Sequence, residues 1–145
     1  MGLTDTGLPP YGHFLGITIE QNEPGGPRFH MPFGDRVVGR PGFLHGGAIS
    51  GLLEIAAVGT VLAALAGEKG VSVKPINVTV DFMRGGRQRE TYATAIIARL
   101  GNRIANVEAF AWQDDRERPI ASARMNLMLK RAHEPDAQAR TLRRL

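Results

Sequence analysis

The sequence predicts an α+β domain in which one long α-helix packs against antiparallel strands. Three observations lead to this fold class. Residues 47–67 are apolar nearly all round and have helical periodicity, which is typical of a helix enclosed in a core. Two segments before this run and four after it alternate between apolar and polar residues, as half-buried strands do. Small residues recur on the helix and on one face of three later strands, which favours close packing.

The chain before the helix contains two predicted strands. Residues 1–10 hold two glycines and two prolines among polar groups, so we expect a loose N-terminal lead-in. His13 to Gln21 alternates and predicts the first strand, and the turn residues at 22–27 predict a hairpin loop. Arg28 to Phe33 alternates again, and Pro32, which lacks a backbone donor, places this second strand at an edge or marks its end.

The chain after the helix contains four predicted strands separated by short turns. They are expected at residues 73–83, 88–100, 103–113 and 119–130. Alanines alternate on three of these strands and would let a helix or a second sheet approach closely: Ala93, Ala95, Ala105, Ala109, Ala111, Ala121 and Ala123. We therefore expect one domain over residues 11–131, followed by a mobile basic C-terminal tail over 132–145.

Length and composition fit a single globular domain with its own core. The 145 residues are 43% hydrophobic and 22% charged, which is usual for globular proteins. Because the chain has no cysteine, disulfides, thiol nucleophiles and cysteine-ligated metal sites are excluded. Met1 is not followed by a basic segment and an apolar one, so we expect no secretory signal and a cytoplasmic location.

The formal net charge of +4 suits a polyphosphate ligand such as coenzyme A. It would also suit nucleic acid, but no zinc-finger, RNP-like or helix-turn-helix pattern is present, so we expect no nucleic-acid partner. The apolar run approaches the length of a membrane span. Its internal charge at Glu54, its richness in glycine and alanine, and the lack of a flanking basic cluster argue against a membrane.

The helix starts at a glycine-rich segment, Pro41-Gly42-Phe43-Leu44-His45-Gly46-Gly47. A helix N-terminus offers unpaired N–H groups and the positive end of the helix dipole, which suit an oxygen that gains negative charge. Gly46 and Gly47 would let an acyl group approach this backbone without a Cβ in the way. Glu54 is the only charged residue in the run before Glu68, and burying a lone carboxylate is unfavourable, so we expect a functional reason for it.

His-Gly-Gly opening a helix, with an acidic residue nine positions after the histidine, resembles the signature of hotdog-fold acyl-CoA thioesterases. The groups it is similar to are the phenylacetate-degradation (PaaI-like) and 4-hydroxybenzoyl-CoA thioesterases. Residues 76–84 resemble that family's first strand after the helix, and residues 100–103 resemble the turn between two later strands. The resemblance covers residues 11–131 and implies the hotdog fold, a curved antiparallel β-sheet wrapped around one long central α-helix.

The activity implied by the resemblance is hydrolysis of a small aromatic or short- to medium-chain acyl-CoA to the free acid and coenzyme A. No metal or prosthetic group is implied, since coenzyme A is part of the substrate. Glu54 lies roughly 12 Å along the helix from His45, too far for both to contact one atom of a small substrate in the same subunit. The resemblance instead implies a homodimer with shared sites, and we expect a dimer of dimers while leaving dimer or tetramer open.

Each residue of the motif takes a role by the same resemblance. The Gly46 N–H polarises the thioester carbonyl, and Glu54 is the general base or the nucleophile. His45 supports the turn, which includes Gly47, and the thioester end of the substrate. Many relatives carry an Asn or Gln a few residues before the histidine, but residues 36–44 contain neither. Either Arg40 substitutes for that side chain or the auxiliary role is absent.

The coenzyme A end of the substrate needs cations and backbone donors. We expect them from Arg84, Gly85 and Arg87 in the turn after the first strand that follows the helix, and from Arg103 beside a later turn. For each arginine the alternative is an ordinary solvated surface charge.

Other interpretations stay open at this point. The glycines could form only a tight turn, His45 could only cap the helix, and Glu54 could be a structural carboxylate. On the same fold, a hydratase or dehydratase acting on acyl-CoA or an acyl carrier protein would place its histidine and acid differently. A non-hydrolytic acyl-CoA-binding module would tolerate the loss of Glu54. The His-Gly-Gly start together with Glu54 favours hydrolysis.

Overall fold

The computed structural model describes residues 7–20 and 25–131. The predicted tail at 132–145 and residues 1–6 of the predicted lead-in therefore lie outside the described residues. The same holds for Gln21, where the first predicted strand ends, and for residues 22–24 of the predicted hairpin loop. The elements along the chain are α1 (Pro10–Phe14), β1 (Thr18–Glu20), β2 (Arg28–Met31), a short 3₁₀ turn (Asp35–Val37), α2 (Gly46–Ala64), β3 (Ser72–Phe82), β4 (Thr91–Leu100), β5 (Ile104–Trp112) and β6 (Ala121–Lys130).

The strands form one six-stranded antiparallel sheet in the order β1-β2-β4-β5-β6-β3. β3 follows α2 directly in the chain but pairs with β6, from Ser72 opposite Lys130 to Phe82 opposite Ala121. The connection through α2 thus carries the chain across the sheet and makes β3 an edge strand. Along the way α2 contacts strands β2 to β6. The predicted plan of one long helix against an antiparallel sheet is confirmed.

The core lies between α2 and the sheet, and it is built from small residues on both sides. The seven alanines predicted to share one sheet face are all buried. The small residues Ala48, Gly51, Ala56, Ala57 and Gly59 are buried on α2. Larger side chains such as Leu52, Leu53 and Leu127 fill the rest of this core, while the small residues let the helix backbone approach the sheet closely. Although α2 is long and apolar enough to cross a membrane, most of its residues are buried inside this fold.

One predicted element is wrong. The alternation from His13 to Gln21 predicted a strand, but residues Pro10–Phe14 form α1 and only Thr18–Glu20 form β1. Pro10 stands at the start of the helix, where a fixed φ favours helix and no N–H is needed. Leu15 ends the helix, and its N–H donates a hydrogen bond of 3.0 Å to the Tyr11 carbonyl oxygen. Leu15 and Ile17 are both buried, although they follow different backbone conformations, and this spacing produces the apolar alternation.

The remaining predicted elements agree with the structure to within three residues at each end. β2 ends at Met31, directly before Pro32, as the missing donor predicted. α2 ends at Ala64, three residues before the predicted stop at Gly67. The left-handed glycine of the following turn is Gly70, whose φ is +68°.

Candidate active site

The start of α2 is capped by the side chain of His45. This residue has extended backbone (φ −71°, ψ 134°), and its Nδ1 accepts a hydrogen bond of 2.8 Å from the Gly47 N–H. Its carbonyl oxygen accepts from the N–H groups of Ala48 and Ile49 at 3.0 and 3.2 Å. Because Nδ1 is an acceptor here, the neutral imidazole carries its proton on Nε2. His45 therefore fixes the geometry of the first helical turn.

The N–H of Gly46 stays free at this helix end. No acceptor for it is found within residues 7–20 and 25–131, and as the first helical residue it has no partner inside α2. A Cβ built on Gly46 would lie 3.4 Å from the ring of Phe82, an ordinary contact distance. The free N–H, together with the positive end of the helix dipole, is what a developing oxyanion requires.

Gly47 has a different reason to be glycine. A Cβ at this position would lie 2.9 Å from His45 Nδ1 and 3.0 Å from Cε1. A side chain there would push the imidazole away from the N–H that it caps. The sequence suggested that both glycines leave room for an acyl group, whereas the geometry gives Gly47 the task of leaving room for the capping histidine.

The turn that holds Arg84, Gly85 and Arg87 lies directly beside the helix start. The Gly86 carbonyl oxygen accepts a hydrogen bond of 2.9 Å from the Leu44 N–H, one residue before His45. Gln113 fixes the other side of this turn, since its Oε1 accepts from the Arg87 N–H at 2.9 Å. Three of the predicted coenzyme A residues are therefore brought next to the glycine motif.

Phe43 joins this turn to the loop before the helix, and the sequence analysis did not single it out. The guanidinium carbon of Arg40 lies 3.9 Å from the ring centroid, and that of Arg87 lies 4.4 Å from it. A Cβ on Gly85 would approach the same ring to 3.0 Å. In the part of the chain that the structure describes, neither guanidinium pairs with a carboxylate. The rim of the helix start is thus positively charged.

Arg103 lies elsewhere. It sits in the β4–β5 turn, where its carbonyl oxygen accepts from the Leu129 N–H at 2.7 Å. This turn is beside Arg131, which pairs with Glu68 after the end of α2. A helix of 19 residues is about 28 Å long, so one protomer does not bring Arg103 to the glycine motif.

Glu54 is half-buried and opens into a cavity of about 260 Å³ between α1, α2 and the first part of β3. Besides Glu54, the lining residues are Gly7, Leu8, Pro9, Tyr11, Ile55, Val58, Gly59, Leu62, Val73 and Pro75. Glu54, Val58 and Leu62 recur every four residues and so share one helix face. No hydrogen bond or ion pair of the Glu54 carboxylate is found within the described residues. An unpartnered carboxylate therefore faces an apolar cavity.

Glu54 and Gly46 do not meet within one chain. They are eight residues apart on the same straight element, which corresponds to roughly 12 Å along the axis. A single carbonyl group cannot contact both the carboxylate and the free N–H of one protomer.

The side of the cavity next to α1 was not predicted from the sequence. Leu8, Pro9 and Tyr11 line it, but residues 1–10 were interpreted as a loose lead-in and the following residues as a strand. The consecutive prolines Pro9 and Pro10 carried the signal, because proline favours the first helical positions.

Comparison with known proteins identifies relatives of this chain. A model of the thioesterase superfamily matches residues 41–120, which include the glycine motif, α2, β3, β4 and β5. No curated protein matches the chain. Among solved structures, a protein from Chromobacterium violaceum is 32% identical, with 85% of each chain covered and a TM-score of 0.69.

Two more distant structures have the same fold. A thioesterase from Haemophilus influenzae is 23% identical, with 83% of this chain and 82% of that chain covered and a TM-score of 0.75. A protein from Bacillus halodurans, solved with CoA, is 21% identical, with 84% of this chain and 79% of that chain covered and a TM-score of 0.75. These likenesses confirm the predicted hotdog fold.

Proposed function

Because the chain belongs to the thioesterase superfamily and is a thioester hydrolase, we propose that it cleaves a small aromatic or short- to medium-chain acyl-CoA. The products are the free acid and coenzyme A. The observation that carries this proposal is the pair of groups on α2, a free N–H at Gly46 and an unpartnered carboxylate at Glu54 that faces an apolar cavity.

The chemistry follows from those two groups. The Gly46 N–H donates to the thioester carbonyl oxygen, which gains negative charge when the carbonyl carbon is attacked. Glu54 either takes a proton from the attacking water or attacks the carbon itself, and each route passes through its own tetrahedral intermediate, which carries the water oxygen or a Glu54 oxygen on that carbon. When the C–S bond breaks, the sulfur leaves with the bonding electrons and is protonated to the coenzyme A thiol. In the second route, water then hydrolyses the acyl-glutamate anhydride.

The catalytic pair is completed across a dimer. Since Gly46 and Glu54 of one chain are roughly 12 Å apart, each site takes its N–H from one protomer and its carboxylate from the other. The free edge of β3, whose side chains are mostly exposed, supports a second copy at this side of the sheet. We extend the proposal to a pair of such dimers.

The acyl group occupies the cavity beside Glu54. Its walls are aliphatic apart from Tyr11 and Glu54, so they suit a hydrocarbon chain or an aromatic ring rather than a charged acyl group. A volume of about 260 Å³ is near the lower end of small-molecule sites, which supports a substrate of modest size.

The phosphates of coenzyme A bind at the positive rim formed by Arg84, Gly85 and Arg87. The free guanidinium groups of Arg87 and Arg40 on Phe43 support this assignment. Arg103 contributes only if a neighbouring copy brings it to the site, because it lies at the other end of its own chain. We propose that the reaction uses no metal or prosthetic group and that the enzyme acts in the cytoplasm.

The direct test is thiol release from a panel of acyl-CoA esters by the wild type, Glu54→Gln and Glu54→Ala. We expect release by the wild type and a loss of about 10²-fold to 10⁴-fold in both variants, as removal of a catalytic base or nucleophile causes. Wild-type turnover by Glu54→Gln would contradict the assignment. Tight binding without release would favour a binding module, and hydration of an enoyl-CoA would favour a hydratase.

A further inference from the structure

The ring of Tyr11 lies directly on the backbone of α2 at Gly51. A Cβ built on Gly51 would come within 2.7 Å of Tyr11 Cε2 and 3.4 Å of Cδ2. Gly51 is buried in the middle of the helix, where glycine is less favourable than alanine. The glycine is therefore explained by the ring, because any larger residue would displace it.

Helix α1 holds this ring in place although the side chain is 49% exposed. Leu8 and Leu15 on either side of Tyr11 are buried, and a Cβ on Gly12 would already contact Leu8 at 3.4 Å and Ile55 at 3.5 Å. α1 is thus packed tightly against α2. Tyr11 therefore stands on a helix whose backbone is held against α2.

The same ring lines the cavity into which the Glu54 carboxylate opens. Gly51 precedes Glu54 and Ile55 by three and four residues, so the ring covers the helix one turn before the carboxylate. Val58 and Leu62 line the cavity one and two turns after it. Tyr11 therefore bounds one end of the space next to the catalytic group.

We propose that the Tyr11 ring, seated on Gly51, limits the length and bulk of the acyl group that the cavity accepts. This inference rests on the proposed function, since it takes the cavity to be the acyl site. The ring acts by its volume, because no hydrogen bond of the Tyr11 hydroxyl is found among the described residues. Removing the ring joins its space to the cavity, and removing only the hydroxyl leaves the wall intact.

The test compares kcat/KM for a series of saturated acyl-CoA esters of increasing length. For Tyr11→Ala we expect the ratio of long to short esters to rise about tenfold or more, the usual effect of a few methylene groups in an apolar pocket. Tyr11→Phe keeps the ring and should keep the wild-type ratio. Phe14 stacks on Tyr11 with ring centroids 6.1 Å apart and is therefore no control. Leu100→Ala serves instead: this residue is 43% exposed and does not line the cavity, so the ratio should not change.

Gly51→Ala supplies an independent test through a double-mutant cycle. Alone, the new Cβ collides with the ring and should change the length ratio by several-fold. Combined with Tyr11→Ala, the new Cβ meets no ring and keeps only its 3.3 Å contact with Leu15 Cδ1, so it should add little to the effect of Tyr11→Ala. Equal effects of Gly51→Ala in both backgrounds would overturn the proposal.

An unchanged length ratio in folded Tyr11→Ala would also overturn the proposal. If the wild type binds acyl-CoA esters but releases no thiol, the proposed function is wrong. The inference about Tyr11 is then tested by binding: the dissociation constants of long and short esters replace kcat/KM in the ratio. If Tyr11→Ala leaves that binding ratio unchanged, or if the wild type binds no acyl-CoA ester, the inference is wrong.

Discussion

Gly46 and Gly47 are adjacent, yet a methyl group added at each would meet different surroundings. At Gly46 it would touch the exposed ring of Phe82, whereas at Gly47 it would strike the imidazole of His45. One glycine thus keeps a free N–H accessible, and the other keeps the helix cap in place. The motif could be recognised from the sequence. The separate roles of the two glycines could not, because they depend on which backbone N–H donates to the His45 ring.

The Gly46 N–H can be removed without removing the helix. Proline at the first helical position is favourable, and His45 has a ψ of 134°, within the range that a residue before proline prefers. We expect Gly46→Pro to keep the melting temperature close to that of the wild type but to lower kcat by about 10²-fold to 10³-fold.

Gly47→Ala, unlike Gly46→Pro, should lower the stability of the protein. It disturbs the cap and should lower the free energy of unfolding by about 1 kcal/mol. Thermal melts and thiol-release kinetics on both variants check the pair. A Gly46→Pro variant that is folded and fully active would exclude the oxyanion role.

Arg87 is expected to act on the nucleotide end of the substrate. Arg87→Gln should raise KM for an acyl-CoA about threefold to tenfold, since a charge-assisted contact to phosphate is lost. It should leave KM unchanged for the matching acyl-N-acetylcysteamine thioester, which has no phosphates. Arg89→Gln is the control, because Arg89 pairs with Asp114 instead. Equal changes for both thioesters would contradict a phosphate contact.

At the scale of elements, hydrophobic periodicity predicted α2 and all four strands after it. The alanine pattern also predicted which sheet face the helix covers, because a close approach needs small side chains on both sides. α1 was missed because the buried residues that follow it, Leu15 and Ile17, imitate the alternation of a strand. Strand order could not be derived either, since the edge position of β3 depends on the path of the chain across the sheet.

The packing of α1 on α2 can be tested with two neighbouring residues. Leu15→Ala removes a side chain that is only 3% exposed and should lower the free energy of unfolding by about 2–4 kcal/mol. Phe14→Ala should change it by less than about 1 kcal/mol, because that residue is 48% exposed and makes its ring contacts at the surface with Tyr11 and Arg36. Urea denaturation of both variants measures the difference. A smaller loss for Leu15→Ala than for Phe14→Ala would contradict the observed packing.

At the scale of the whole molecule, one chain holds both proposed catalytic groups but keeps them apart. Gly46 and Glu54 are fixed on one rigid helix, so no local movement within the protomer can bring them to one carbonyl group. The exposed β3 edge, with its large apolar side chains Ile76, Val78 and Phe82, offers a surface for a second copy. The distance between Gly46 and Glu54 could be derived from the sequence, but only the family resemblance suggested that a second protomer supplies the missing group of each site.

The central claim is that each site takes its N–H and its carboxylate from different protomers. Co-expression of Gly46→Pro and Glu54→Gln chains in equal amounts, with different tags, tests it most directly. Random pairing makes half of the dimers mixed, and each mixed dimer has one intact site, so we expect about a quarter of the wild-type activity from two inactive variants. If tagged mixed dimers form but activity stays at the level of the single variants, the two groups do not meet across an interface, and the account is wrong.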